Sequence, residues 1–237
     1  MRRLFRSFER SGLKYLLISG QASVLYGAAT FSEDIDIWVR PDPRNISRLL
    51  RSLSACGARV HKLTPPLDPR HVRAGHGFHF VIPASSGPVY LDVMAVPPRV
   101  GPFDAALLRA LWMDSGWGRL PVVGIEDLVA LKLTRRLSDY EVISNLVRVR
   151  LSAAEQPSRA LIRWAARHSF RAEDRVELLS RLGMRKGVEP CRREIAAAVA
   201  RFQARDARYW RSRLAELRRL RSAGLLLPAG TPVSKLS

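Results

Sequence analysis

The amino-acid sequence predicts an α/β core followed by a helical C-terminal region. Up to about residue 125, short runs of β-branched residues alternate with helical patterns and with turns rich in glycine and proline. Beyond that point the patterns are helical only. The chain has 237 residues, of which 47% are hydrophobic, and this suffices for one core of ordinary size and a smaller additional region.

The first predicted elements surround a turn made of small residues. A strand over residues 14–18 leads into a Ser-Gly turn, and a short helix over 21–26 follows. Residues 34–39 alternate strictly between polar and apolar, which predicts a strand with both of its carboxylates on one face. Asn45 is expected to cap the amphipathic helix that comes next.

Further strand patterns and a series of helical patterns complete the expected elements. Strands are expected over residues 59–63, 78–82, 89–93 and 120–123, with the second and third of these forming a hairpin. Helices are expected over residues 104–113, 125–137, 140–151, 158–168, 172–182 and about 192–221.

The net charge is the strongest signal in the composition. Lys and Arg number 40 against 21 Asp and Glu, which gives a formal net charge of +19 and a pI near 11.4. Most of these cations are arginine, whose planar guanidinium can bind phosphate through two hydrogen bonds. An anionic partner such as RNA is one interpretation, and the base composition of the genome is the other.

Membrane-spanning, exported and disulfide-bonded proteins have sequence signals that this chain does not show. No apolar stretch approaches the ~20 residues that a membrane-spanning helix needs. Glu9 and Arg10 interrupt the N-terminal segment where a secretory signal would be apolar. Cys56 and Cys191 are far apart and form no Cys-x-x-Cys motif. We therefore expect a soluble cytoplasmic protein without a membrane partner.

A small-residue turn followed by paired carboxylates is the motif that carries chemistry. Gly20 lets the backbone approach a phosphate closely, and the helix that begins there presents free N–H groups. Asp34 and Asp36 share one strand face, about 6.6 Å apart along the strand. Such oxygens suit Mg²⁺, which binds one or two carboxylates together with substrate phosphates. Surface aspartates without a ligand are the alternative.

This pattern resembles the nucleotidyltransferase superfamily of the DNA polymerase β type, in the branch of minimal nucleotidyltransferases and AbiEii toxin-like proteins. The residues that carry the resemblance are Ile18, Ser19, Gly20, Asp34 and Asp36. Ser19 replaces a glycine of the family pattern, and Thr30 stands where many relatives have arginine. The resemblance implies a nucleotidyltransferase-type mixed β-sheet flanked by helices.

The same resemblance implies a third carboxylate on a later strand, and Asp92 supplies it. Two Mg²⁺ ions would be bound by Asp34, Asp36 and Asp92. The phosphates of a nucleoside triphosphate, the donor substrate, would be bound by Ser19, Gly20 and Gln21.

Residues 121–133 resemble the segment with which these relatives place a lysine near the nucleotide, here Lys132. Arg136 follows four residues later, so on one helix the two cations would form a basic face toward the triphosphate. Ser138 and Val142 stand where relatives commonly have a lysine and a second aspartate. A solvated helix face is the alternative for these cations.

Two further features have two interpretations each. His79 is expected to face the carboxylates and contact the nucleotide or the acceptor, or else to be a structural histidine bonded to the backbone. The last helix has an apolar stripe, interrupted at Asp206, and many arginines outside it. These arginines would contact RNA phosphates, or form a solvated face or a dimer contact.

The resemblance implies an enzyme that transfers a nucleoside monophosphate to a hydroxyl of RNA such as tRNA, of a protein or of a small molecule. The other hypothesis is a non-catalytic nucleotide- or RNA-binding module or a toxin–antitoxin component, with an antitoxin or a second copy as partner. Three regions are expected: a core over residues 1–124, a helical extension over 125–154 that completes the cleft, and a basic helical region over 155–237.

Overall fold

A seven-stranded sheet lies at the centre of the computed structural model, which describes residues 1–85 and 87–236. The strands are β1 (Tyr15–Ile18), β2 (Ile35–Val39), β3 (Arg59–Val60), β4 (Gly77–Ile82), β5 (Val89–Met94), β6 (Leu111–Ser115) and β7 (Gly118–Val122). Their order across the sheet is β3-β4-β5-β2-β1-β7-β6. The β2–β5 and β1–β7 pairs are parallel and the others antiparallel, so the α/β fold with a mixed sheet is confirmed.

Helices flank this sheet and form most of the C-terminal region. They are α1 (Arg2–Ser11), α2 (Ser19–Leu25), α3 (Pro43–Ala55), α4 (Pro69–Arg73), α5 (Phe103–Leu108), α6 (Ile125–Lys132), α7 (Leu137–Ser152), α8 (Arg159–His168), α9 (Ala172–Arg181) and α10 (Val188–Ser222). None of the described helices has the length and apolarity that a bilayer crossing requires. The boundaries expected at residues 124 and 154 stay predictions.

The middle of the sheet is buried on both faces. Every residue of β1 is buried, and Ile35, Ile37 and Val39 of β2 are buried as well. A strand that is apolar on both faces needs a layer of helices on each side, which explains why β1 has no polar alternation. Burial therefore fixes the positions of the central strands, and with them the positions of the polar residues at the strand ends.

The C-terminal segment after α10 returns to the β3 edge of the sheet. Gly230 N–H donates to the Val60 carbonyl, and Val60 N–H donates in turn to Thr231. Val233, in a short 3-10 helix, is fully buried. This segment covers an edge strand whose backbone groups would otherwise be unpaired.

The sequence did not predict α1, α4 or β6, and the helix expected over 104–113 is wrong beyond Leu108. Leu111 to Ser115 instead form a hairpin with β7, with Leu111 opposite Val122. The helical pattern there included Leu111 and Trp112, whose side chains are exposed in the structure. The tight hairpin with β7, which begins only three residues after β6 ends, overrides the local preference for a helix.

Asn45 does not cap α3, because Asp42 does. The Asp42 carboxylate accepts from Asn45 N–H at 2.9 Å, and Pro43 occupies the first turn. The Asn45 side chain is buried and bonds three backbone groups instead. It accepts from Lys14 N–H at 2.8 Å and donates to the carbonyls of Lys14 and Arg40 at 2.9 and 3.1 Å. Asn45 thus joins α3 to the start of β1 and the end of β2.

We expect Asn45→Ala to lower the free energy of unfolding by about 2–4 kcal/mol, because it leaves buried backbone groups without partners. Ser47→Ala is the matched control on the same helix, since Ser47 is bonded to Pro43 at the exposed surface. Urea denaturation measures both variants. Equal unfolding free energies for the two variants would contradict the role assigned to Asn45.

Candidate active site

Two carboxylates lie side by side on neighbouring strands. β2 and β5 are parallel, and their register pairs Asp36 with Asp92. Residues paired in register point to the same face of the sheet, and adjacent strands are about 4.8 Å apart. Both side chains are only partly buried, between apolar neighbours that are fully buried. The sheet therefore holds two acidic groups next to each other at an accessible place.

The third aspartate and the small-residue turn complete a cleft of about 680 Å³. Asp34 precedes β2 by one residue, and Ser19 and Gly20 follow β1 directly. The candidate residues in the lining are Ser19, Gly20, Asp34, Asp36, Asp92, Lys132 and Arg136. The structure brings these residues together, and their binding roles stay predictions.

The turn after β1 has the geometry that a glycine would favour. Ser19 has a φ of 59°, in the left-handed region that costs a non-glycine residue about 1–2 kcal/mol. A Cβ on Gly20 would lie 2.1 Å from the Ser32 Oγ, so only glycine fits there. The turn is thus packed tightly against the loop that carries Asp34.

Asp36 is the carboxylate most affected by its neighbours. Burial, and after it the negative charge of Asp92, raises the pKa of Asp36 to about 6. A hydrogen bond from the Ser19 side chain and the charge of Lys132 lower the pKa, while Asp34 raises it. The charge of Lys132 therefore offsets only part of the effect of burial and of Asp92 on the pKa of Asp36.

Two of the candidate residues lie beside the cleft, outside its described lining. His79 Nδ1 is 2.7 Å from Asp92 Oδ1 across the β4–β5 pair, so His79 contacts a carboxylate and is not bonded to the backbone through its ring. The Gln21 amide donates to the Ser32 carbonyl at 2.8 Å. In this structure, then, the side chains of His79 and Gln21 hold parts of the cleft in position.

Lys132 and Arg136 do not share a helix, so their expected basic face is wrong. α6 ends at Lys132, and Leu133, with φ −71° and ψ 63°, forms an inverse γ-turn in which Thr134 N–H donates to the Lys132 carbonyl. Asp139 stabilises this break, because its carboxylate accepts from Lys132 Nζ at 3.1 Å and from Thr134 Oγ1 at 2.5 Å.

The C-terminal helix supplies residues that the sequence did not assign to this site. Asp206 of α10 is buried and pairs with Arg99 at 2.7 Å, and it also accepts from Arg135 N–H at 3.3 Å. Arg99 in turn donates to the carbonyls of Ala130 and Leu131 in the last turn of α6. Trp210, one turn after Asp206, lines the cleft. The one signal in the sequence was the interruption of the apolar stripe at Asp206.

The side chains that line the cleft have a negative formal net charge, whereas the whole protein has a positive one. Six carboxylates and four Lys or Arg side chains line it, although the whole chain has a formal net charge of +19. Asp139 and Asp206 are paired with cations of the cleft, whereas Asp34, Asp36 and Asp92 form no ion pair with Lys or Arg among residues 1–85 and 87–236. The guanidinium groups of Arg135 and Arg136, also lining the cleft, are exposed. Asp92 has the His79 ring as its partner, and all three carboxylates are without a Lys or Arg partner in that part of the chain.

Within the described residues, no three His, Cys, Asp or Glu side chains form a ready set of metal ligands. A preformed cage, as for zinc, is thus not present in that part of the chain. Mg²⁺ needs fewer protein ligands, because it keeps several waters and takes one or two carboxylates along with substrate phosphates. The adjacent carboxylates of Asp36 and Asp92, of which Asp36 has a raised pKa, fit such a site.

Comparison with known proteins gives a likeness of fold to solved structures. No protein-family model matches the chain, and no curated protein matches it. The fold is similar to a crystal structure described as that of a "putative nucleotidyltransferase from H. pylori", with 13% sequence identity and a TM-score of 0.45. The match covers 88% of this chain and 93% of that one. At this identity and TM-score, the likeness does not establish a family.

We expect Asp206→Ala to lower the free energy of unfolding by about 3–5 kcal/mol, because it leaves the buried Arg99 guanidinium without its counter-charge. The double variant Arg99→Met/Asp206→Leu should recover part of that loss, since it removes both charges. Urea denaturation measures both. A loss below about 1 kcal/mol for Asp206→Ala would show that the pair does not hold α10.

We expect Asp36→Asn to raise the melting temperature near pH 8 and to leave it unchanged near pH 4, with EDTA present. The pKa of Asp36 is raised to about 6 in the folded protein, from an ordinary value of 3.8. The protonated carboxyl therefore stabilises the fold below pH 4, and this stability is lost as the pH rises through 6. Asp114→Asn controls for the loss of one exposed carboxylate outside the cleft. A gap between wild type and Asp36→Asn that is equal at both pH values would contradict the raised pKa.

Proposed function

We propose that the protein transfers a nucleoside monophosphate from a nucleoside triphosphate to a hydroxyl acceptor, in a Mg²⁺-dependent reaction. The observation that carries this proposal is the in-register pair of Asp36 and Asp92, with Asp34 beside it and no Lys or Arg paired to them in the described part of the chain. In the reaction, the acceptor oxygen bonds to the α-phosphorus and pyrophosphate leaves.

The carboxylates of Asp34, Asp36 and Asp92 would hold two Mg²⁺ ions. When bound, Mg²⁺ supplies charge neutralisation and an activated hydroxyl for phosphoryl transfer. After burial, the negative charges of Asp92 and, more weakly, of Asp34 contribute to the raised pKa of Asp36. A cation bound with a triphosphate would relieve that repulsion.

The cations that line the cleft would bind the triphosphate. Arg135 and Arg136 have exposed guanidinium groups at the mouth, suited to two-point hydrogen bonds with phosphate. Lys132 is nearly buried at the inner side, where its charge already acts on Asp36. The Ser19-Gly20 turn would accept the phosphates at close backbone range.

RNA, for example a tRNA end, is the acceptor that we favour. α10 carries exposed arginines next to the residues that enter the cleft, Asp206 and Trp210. Arg205, Arg208 and Arg211 are exposed along that helix and could bind a phosphate backbone without reading its sequence. A protein or small-molecule hydroxyl would not need this surface.

A non-catalytic nucleotide- or RNA-binding module is the second candidate, and a specific contact favours it. The charge of Lys132 is already paired with Asp139, which leaves Lys132 less available to a triphosphate. Val142, where related enzymes commonly have an aspartate, packs against the core. If the protein belongs to the toxin-like branch, an antitoxin would be a further partner of such a module.

Incubation with each α-³²P-labelled nucleoside triphosphate, Mg²⁺ and total RNA or protein tests the proposed reaction. We expect label on a macromolecule with wild type, and a loss of at least about a hundredfold in Asp34→Ala/Asp36→Ala, because each tenfold corresponds to only 1.36 kcal/mol of lost stabilisation. Asp104→Ala/Asp114→Ala removes two exposed carboxylates outside the cleft and should keep the activity.

The control outcomes separate the two candidates. Transfer by wild type that persists in Asp34→Ala/Asp36→Ala would refute the metal-binding role of the carboxylates. Nucleotide or RNA binding without transfer, unchanged in the double variant, would support the module instead.

A further inference from the structure

A second cavity, of about 660 Å³, lies at the opposite end of β1 from the cleft. Tyr15, at the start of β1, lines this cavity, and Ile18, at its end, lines the cleft. Tyr15 and Ile18 are three positions apart along the strand, which corresponds to about 10 Å. The cavity is bounded by α1, the start of β1 and the β6–β7 hairpin, and its size is that of a small-molecule site.

Aromatic rings form the floor and one wall of this cavity. Phe5 stacks on Trp117 with ring centroids 5.7 Å apart and planes at 12°. Phe5 also stacks on Tyr15 at 6.1 Å. Trp112 of β6 lines the cavity and is 59% exposed. An exposed indole face at a cavity is a surface on which a planar ring can stack.

The rim of the cavity is basic. Arg2, Arg6, Lys14 and Arg119 line it, against a single carboxylate, Glu9. None of these four cations forms an ion pair within the part of the chain that the structure describes, and only the Arg2 side chain has a hydrogen bond, to the Gly116 carbonyl. The ammonium and the two remaining guanidinium groups are exposed and available to an anion.

We propose that this cavity binds a nucleobase together with its phosphate, as one unit of a single-stranded nucleic acid. The exposed Trp112 ring offers a stacking surface for the base, and Arg6, Lys14 and Arg119 offer charge to the phosphates. A second copy of this protein does not fit, because it would bring a similarly basic surface against these cations. The site is independent of the reaction proposed for the cleft.

Fluorescence anisotropy with a fluorescein-labelled decauridylate, in EDTA, tests the proposal on the full chain. We expect Trp112→Ala to weaken binding about tenfold, because one stacked base is lost. Leu111→Ala is the matched control, since Leu111 is also exposed on β6 but does not line the cavity. Melting temperatures of both variants should equal that of wild type, because both side chains are exposed.

The salt dependence separates phosphate contacts from a structural effect. We expect Arg6→Ala/Arg119→Ala to reduce the slope of log affinity against log salt concentration by about 0.7 for each arginine. Arg44→Ala/Arg51→Ala removes two exposed arginines from α3 and should leave the slope unchanged. Uridine monophosphate and a polyglutamate peptide are tested with the same variants.

The binding results with decauridylate, uridine monophosphate and polyglutamate decide between the possible ligands of this cavity. Weaker decauridylate binding by Trp112→Ala and a smaller slope for Arg6→Ala/Arg119→Ala support a nucleic-acid strand as the ligand. Uridine monophosphate binding that depends on Trp112, with decauridylate binding unchanged, supports the same site for a free nucleotide. Binding of the polyglutamate peptide alone, or equal binding of both nucleotide ligands by all variants, would overturn the proposal.

Discussion

The parallel pairing of β2 with β5 is the constraint on which the candidate active site depends. It places Asp36 in register with Asp92, so two carboxylates that would repel each other in water are fixed side by side. Burial, and after it the charge of Asp92, raises the pKa of Asp36, and the arrangement persists because the apolar residues on either side of both aspartates are buried in the core. Neither aspartate is paired with a Lys or Arg in the described part of the chain, and this is why we propose that the pair binds a cation.

The C-terminal helix depends on a second electrostatic contact, the buried pair of Arg99 and Asp206. Arg99 has a φ of 69° and bonds the last turn of α6 as well as Asp206, so one side chain joins the loop after β5, α6 and α10. The same helix brings Trp210 to the cleft and exposed arginines to its rim. The basic C-terminal region is therefore part of the wall of the cleft, which links the composition of the chain to the site.

The sequence predicted most of this site where the pattern was local, and missed it where the contact was long-range. Strict alternation placed Asp34 and Asp36 on one strand face, the strand pattern placed Asp92 in a later strand, and the family resemblance implied that the two strands are neighbours. The break between Lys132 and Arg136 depends on Asp139, and the role of Asp206 depends on Arg99, 107 positions away. β6 was missed for a different, local reason: a helical pattern continues past the end of α5 at Leu108, whereas these residues pair with β7 in a hairpin. The periodicity of α10 contains no information about Arg99, the partner of Asp206.

Crystals grown with Mn²⁺ and a non-hydrolysable nucleoside triphosphate would test the central claim most directly, because anomalous scattering locates the metal without an assay of turnover. We expect an anomalous peak within coordination distance of carboxylate oxygens of both Asp36 and Asp92, shared with oxygens of the triphosphate. A fully occupied nucleotide with no anomalous peak at these aspartates, or with its only anomalous peak elsewhere in the protein, would contradict the account.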